Sequence, residues 1–93
     1  MLFQTGNIYV SKGVNEKMQA SLEFDEFVVK SLTRHITGDW GDLSKEDKAM
    51  NDSAVANNDD RIFSRYNYDE DTSIYIITEY DRSCTTVLFP EEY

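Results

Sequence analysis

Ser73-Ile74-Tyr75-Ile76-Ile77-Thr78-Glu79, followed after a short polar break by Cys84-Thr85-Thr86-Val87-Leu88-Phe89, is the stretch on which the fold turns. Both runs are rich in β-branched and aromatic residues, which suit a pleated, half-buried surface. Asp81-Arg82 between them has turn composition, so the two runs read as paired strands, and Pro90 ends the second. Upstream, Arg61-Ile62-Phe63-Ser64-Arg65-Tyr66 carries the same signature, and the acidic segment Asn67–Thr72 joins it to the first run. Strands on such short connections predict a three-stranded antiparallel meander.

Further upstream the period changes. Phe24, Phe27, Val28, Ser31, Leu32, His35 and Ile36 recur in steps of three and four, the spacing of an amphipathic helix. Met18 and Leu22 extend the pattern backwards. Asn15 is a plausible N-cap with Glu16 in the first turn, and Lys30 and Arg34 near the other end suit the helix dipole, with Gly38 as the residue beyond it. The spacing predicts a helix from Asn15 to Thr37, bent or broken near Ser21–Glu23. Before it, Asn7-Ile8-Tyr9-Val10-Ser11 alternates like a short strand that Gly13 terminates. After it, Gly38-Asp39-Trp40-Gly41-Asp42-Leu43 is a tight loop. Ser44-Lys45-Glu46-Asp47 then opens a short helix in the manner of a capping box. That helix is expected to run to Ala49 or Met50, with a further turn beginning at Asn51-Asp52-Ser53 and a loop at Asn57–Asp60. The expectation is one α+β domain over residues 1–93: an N-terminal strand, a long helix, a short helix, and a three-stranded antiparallel meander with the long helix on one sheet face.

At 93 residues one domain is the expected count, and such a chain buries roughly 60–65% of its unfolded surface. Nine Lys+Arg against 18 Asp+Glu leave a net charge of −9. That balance argues against direct binding to nucleic-acid phosphates or to an anionic membrane, both of which call for Lys and Arg. The acid is unevenly placed: residues 1–37 are neutral, residues 38–60 carry −5 and residues 61–93 carry −4. Such asymmetry can mark a partner-facing surface, or only a solubilising one. Cys84 is the single cysteine, so no internal disulfide forms and a reducing cytoplasm is the expected setting. Met1-Leu2-Phe3-Gln4 lacks the charged and apolar regions of a signal peptide, and no apolar run approaches the roughly 20 residues of a membrane span.

The densest polar cluster is His35, Asp39, Trp40, Asp42, Glu46 and Asp47. His35 with Asp39, Asp42 and Glu46 has the donor types of a carboxylate-rich metal site, although the spacing matches no named motif. The alternative is structural: Asp39 and Asp42 capping backbone N–H groups, Asp47 capping a helix and His35 bonding across the turn. Trp40 is read as a core plug rather than a partner anchor. Arg82 is expected to pair with Asp39 or Asp42 and tie the GDWGD loop to the sheet. Cys84 reads as a small buried hydrophobe. Ser44 and Ser83 lack a nucleophile-elbow context, and there is no Gly-rich phosphate loop, so neither catalysis nor a cofactor is expected.

One resemblance stands out. His35-Ile36-Thr37-Gly38-Asp39-Trp40-Gly41-Asp42, then Glu46-Asp47-Lys48 and Asn51-Asp52, and the run from Ile76 through Thr78-Glu79-Tyr80-Asp81-Arg82-Ser83 to Phe89-Pro90-Glu91-Glu92-Tyr93 resemble a family of small "plasmid-related" bacterial proteins of plasmids and prophages. Tyr80 and Cys84 depart from the small or apolar residues expected there. The resemblance implies a mobile-element setting and no known catalytic residues. Small acidic proteins of such elements often block host defence. The resulting expectation is a non-enzymatic inhibitor of a CRISPR-Cas or restriction complex in the bacterial cytoplasm, an anti-CRISPR in its most specific form. It would bind a Lys/Arg-lined nucleic-acid channel, acting as a DNA mimic and not touching nucleic acid itself. The expected binding surface comprises Asp39, Asp42, Glu46, Asp52, Asp59, Asp60, Asp69, Glu70, Asp71, Glu79 and Asp81. Two other readings stay open: a metal-binding module or metal-dependent enzyme at His35/Asp39/Asp42, and an adaptor that pairs through a sheet edge.

Overall fold

The order of elements in the computed structural model, which covers residues 1–93, is strand, three helices, three strands. These are β1 (Asn7–Val10), α1 (Lys12–Ala20), α2 (Leu22–Ile36), α3 (Lys45–Asn57), β2 (Ile62–Asn67), β3 (Ser73–Thr78) and β4 (Cys84–Leu88), with a single 3-10 turn at Pro90–Glu92. The class is α+β, and β2, β3 and β4 form the antiparallel meander read from the sequence. The sheet itself has four strands in the order β1-β4-β3-β2, because β1 lies parallel to β4, with Asn7 opposite Cys84 and Val10 opposite Val87. Alternation in Asn7–Ser11 marks a strand, but it carries no information about a partner some 75 residues away.

The helical run expected over Asn15–Thr37, bent or broken near Ser21–Glu23, is broken at Ser21 into α1 and α2, and it starts earlier, at Lys12. Ser21 adopts extended backbone (φ −144°, ψ 113°), ends α1 and caps α2, its hydroxyl accepting the Phe24 N–H. Ser11, not Asn15, caps α1 by accepting the Val14 N–H. A serine hydroxyl that satisfies an orphan N–H stabilises a helix start by about 1 kcal/mol, and here it does so twice. The end of α2 is a Schellman closure: Gly38 N–H bonds to the His35 carbonyl (3.2 Å) and Asp39 N–H to the Arg34 carbonyl (2.9 Å). The helix expected to stop at Met50 continues as α3 to Asn57 and stops where Asn58 turns left-handed (φ 51°). Ser44 caps it by accepting the Asp47 N–H, but the Asp47 carboxylate does not reach back, so only half of the capping box forms.

Ile62, Ser64 and Tyr66 on β2, Ile74, Ile76 and Thr78 on β3, and Thr85 and Val87 on β4 alternate onto one sheet face, and all are buried. Val14, Phe24 and Val28 from α1 and α2 meet Tyr66, Ile74, Ile76 and Val87 there as the main apolar core. Each such side chain contributes about 1.5–3 kcal/mol by leaving water. A second, smaller cluster of Phe3, Trp40, Ala54 and Ile62 anchors the N-terminal segment, the GDWGD loop and α3. No helix is long and apolar enough to cross a membrane.

Candidate functional site

The GDWGD loop does not form a ligand-binding turn; it closes the outer edge of β2. Asp42 N–H bonds to the Arg65 carbonyl (2.7 Å), Arg65 N–H to the Trp40 carbonyl (3.4 Å), and the Asp42 carboxylate accepts the Asn67 N–H (2.9 Å). One step along, the Asn51 side chain of α3 pairs with the Phe63 peptide on both sides, donating at 2.6 Å and accepting at 3.0 Å. Trp40 is buried, as expected, and its indole N–H donates to Asp52 (2.9 Å). Asp39 is held by Arg34 at 2.7 and 3.1 Å and accepts the Gly41 N–H; that Arg34 contact keeps its carboxyl below the usual range. Arg34–Asp39 is the one ion pair in the molecule.

Arg82 therefore does not pair with Asp39 or Asp42. Its guanidinium donates instead to five backbone carbonyls: Ala54 and Asp59 from one nitrogen, Asp60, Glu79 and Tyr80 from the other. Ala54 lies in the last turn of α3, at the negative end of its dipole, and a planar fork can serve it together with carbonyls of the following loop and the β3–β4 turn. Arg82 thereby locks the α3–β2 loop onto the β3–β4 turn.

His35 is fully buried, and both ring nitrogens are taken, Nδ1 by Ser64 (2.6 Å) and Nε2 by Thr78 (3.0 Å). The direction of this chain follows from its end. Thr85 donates its hydroxyl to the Thr5 carbonyl, so Thr78 must donate to Thr85, and His35 Nε2–H must donate to Thr78. Nδ1 then accepts from Ser64, and the ring is the neutral Nε2–H tautomer. Burial pushes its pKa down to about 4. The four side chains with metal-ligand donor types are thus kept apart: His35 is committed inside, Asp39 and Asp42 are bonded at the surface, and Glu46 stands alone on α3. No three His, Cys, Asp or Glu side chains cluster where they would hold a metal ion. Cys84 is half-buried rather than enclosed.

The eleven carboxylates assigned to one acidic surface are all exposed, but they do not form a single patch. Asp39, Asp42 and Asp52 are spent on the β2 edge, and Asp81 accepts the Ser83 N–H. Asp69, Glu70 and Asp71 sit at the β2–β3 turn beside Arg65. Asp59, Asp60 and Glu79 converge at the other end of the hairpin, about 20 Å away for a six-residue strand. There they border two adjoining depressions of about 300 and about 610 Å³ that share Met50, Asp60 and Arg61. The first has a floor of Phe63, Tyr75 and Tyr93 with Asp47 on its rim; Tyr80 lines the second. Phe63 and Tyr75 rings lie 4.6 Å apart and Tyr93 meets Tyr75 edge-on, while Arg61 covers the Tyr93 ring and bonds its hydroxyl. With Arg61 occupied, Asp47, Asp59 and Glu79 have no protein partner for their carboxylates, and Asp60 accepts only the neighbouring Arg61 N–H. Together the two depressions make a groove that sets an apolar, aromatic floor beside unpaired carboxylates, a combination suited to holding a cationic side chain.

Asp47, whose sequence position suggests only a helix cap, enters this groove, and Met50, Phe63, Tyr75 and Tyr93 belong to none of the polar clusters that the sequence offers. A signal existed: Phe63 and Tyr75 put aromatic rings on the sheet face opposite the core, where a solvated face would be polar. Asn51 left no signal, since one asparagine in a helical stretch is unremarkable. Comparison of the chain with models of protein families, with curated proteins and with solved structures finds no match.

Proposed function

We propose that the protein is a non-enzymatic, acidic inhibitor that binds a nucleic-acid-processing complex of a bacterial host's defence, through the groove between α3 and the β3–β4 turn. The observation that carries this reading is the convergence of Asp47, Asp59, Asp60 and Glu79 around an aromatic floor, on a loop that Arg82 holds rigid. A channel that grips nucleic acid is lined by Lys and Arg, and a preordered set of carboxylates competes for it as phosphates do. Attraction at a net charge of −9 speeds the encounter, and the apolar floor gives contact that salt does not screen. The mobile-element resemblance supports CRISPR-Cas or restriction complexes of the host cytoplasm as the target class. The turn at Asp69–Asp71 is secondary, because it borders no apolar floor.

Gel-shift competition against such complexes tests this. The quadruple variant Asp47→Asn, Asp59→Asn, Asp60→Asn, Glu79→Gln is expected to weaken inhibition by at least about tenfold and to flatten its salt dependence. Neutralising Asp69, Glu70 and Asp71 together is expected to change it far less. Inhibition that survives the quadruple change intact removes the groove from the mechanism, and absence of binding to any basic channel removes the function.

A further inference from the structure

We infer that the β1 edge is a self-association edge at which two copies of this chain join their sheets. The Asn7 N–H reaches the Ser83 carbonyl and the Ser11 N–H the Val87 carbonyl, so alternate residues of β1 face β4. Ile8 and Val10, in between, direct their N–H and C=O groups outward, where no part of the chain meets them. The side chains of Ile8 and Tyr9 are 51% and 53% exposed. A bare edge of this kind is a template for another strand unless it is charged, bulged or covered, and β1 is none of these.

The occupant that fits is a second copy, for two reasons. First, the edge is self-complementary. An antiparallel pairing centred on Tyr9 sets Ile8 opposite Val10 of the second copy on both sides of the axis, so the outward groups of both residues form four backbone hydrogen bonds. Tyr9 then lies beside its own counterpart on the sheet face away from the helices, and Ile8 covers Val10 of the second copy on the helix side. Second, charge selects the place. Residues 1–15 form the longest stretch without a carboxylate and carry only Lys12, in a chain with 18 acids. Two copies at −9 repel each other overall but least across this edge, and a basic partner finds no carboxylate on β1 itself, Glu92 beside its end being already bonded to Ser11 and Gly13. The pairing makes one eight-stranded sheet and leaves both α3 grooves free.

A four-residue edge buries less than a standard interface, so association is weak, with a midpoint on the order of 100 µM. Sedimentation equilibrium from about 10 µM to about 1 mM is expected to show the mass rising from 10.8 kDa towards twice that value. The rise should be steeper in 0.5 M NaCl, where the mutual repulsion of two acidic copies is screened. Val10→Pro removes an outward N–H and no bond to β4; Tyr9→Lys sets two ammonium groups face to face across the axis. Each variant, shown to be folded by circular dichroism, is expected to weaken association by about tenfold or more. The quadruple groove variant is expected to associate as the parent does. If Val10→Pro does not fold, Tyr9→Lys carries the test alone, since its side chain is already half in water. A parent that stays at 10.8 kDa throughout, or a Tyr9→Lys protein that associates undiminished, overturns the inference.

Discussion

The two edges of the sheet meet the same physical problem in opposite ways. At β2 every outward amide from Phe63 to Asn67 has a partner, supplied by Asn51, Trp40 and Asp42. At β1 the outward groups of Ile8 and Val10 have none. Each edge leans on a glycine with positive φ: Gly41 (78°), where a methyl would run into the Arg65 carbonyl, and Gly6 (63°), where it would run into the Ser83 carbonyl. Gly41 brings a capping loop against the outside of the sheet, whereas Gly6 brings β1 itself in and leaves its far side bare. One edge is built over by three groups, and the other keeps the bare template on which a second strand can pair.

The largest effect should follow from breaking the sealed side. Trp40→Ala empties the second core cluster and releases the loop that holds β2, at a cost of about 3–5 kcal/mol. For a domain this small that is most of its stability, so urea titration at pH 7 should find the variant largely unfolded in water. Arg82→Lys comes next, at about 2–3 kcal/mol, because one ammonium cannot replace a fork that serves five carbonyls. Its signature should be early loss of amide-exchange protection at the end of α3 and at the β3–β4 turn.

Those two residues also show how much was legible. The meander, the α+β class, the burial of Trp40 and the capping by Ser44 were readable because each is a local matter of period or hydroxyl spacing. The partner of Arg82 was not: a charge in sequence suggests an opposite charge, and nothing local says that a helix end full of carbonyls will lie beside it. The β1–β4 pairing, the role of Asn51 and the groove at Met50, Phe63, Tyr75 and Tyr93 likewise depend on contacts between distant segments. Of the blocks that carry the resemblance, His35–Asp42 serves as scaffold, edge caps around a buried histidine, while Ile76–Tyr93 holds both the Arg82 carbonyl clamp and the groove residues Glu79, Tyr80 and Tyr93.

The hydrogen-bond chain through His35 ties the two edges together, running from Ser64 on β2 through Thr78 and Thr85 to Thr5 just before β1. Its pH dependence has a definite sign. The unfolded histidine takes up a proton near pH 6.5, whereas the buried ring stays neutral to about pH 4. Stability is therefore complete above about pH 6.5 and falls as the pH drops towards 4, by about 2 kcal/mol at pH 5. The Asp39 carboxyl, held low by Arg34, adds its loss only at still lower pH. Urea midpoints at pH 7, 6, 5 and 4.5 should trace the first decline, and His35→Gln should flatten it over that window. A parent protein with a flat profile would mean that the ring is open to water.

Asn51→Ala unpairs both polar groups of one β2 peptide and should cost about 1–2 kcal/mol, less than full burial would exact because water can reach the rim. It should also give β2 the property that β1 has naturally, a bare stretch of edge, so the variant is expected to associate beyond dimers in sedimentation.

Ile8→Thr is the matching change on the open side and should be the smallest of all, under about 1 kcal/mol in dilute solution. Threonine keeps β-branching, so the strand propensity is retained, and the side chain it replaces is already half in water. The outward peptide groups are untouched, so the monomer loses no hydrogen bond. What the substitution removes is the apolar cover that Ile8 offers to Val10 of a second copy, and that contact exists only when the copies meet. Its effect on unfolding should therefore grow with protein concentration, as mass action requires when only the associated form feels the change. A loss well above 1 kcal/mol in dilute solution, independent of concentration, would mean that the chain covers this edge itself. The two edges would then be alike, and neither would be available to a second copy.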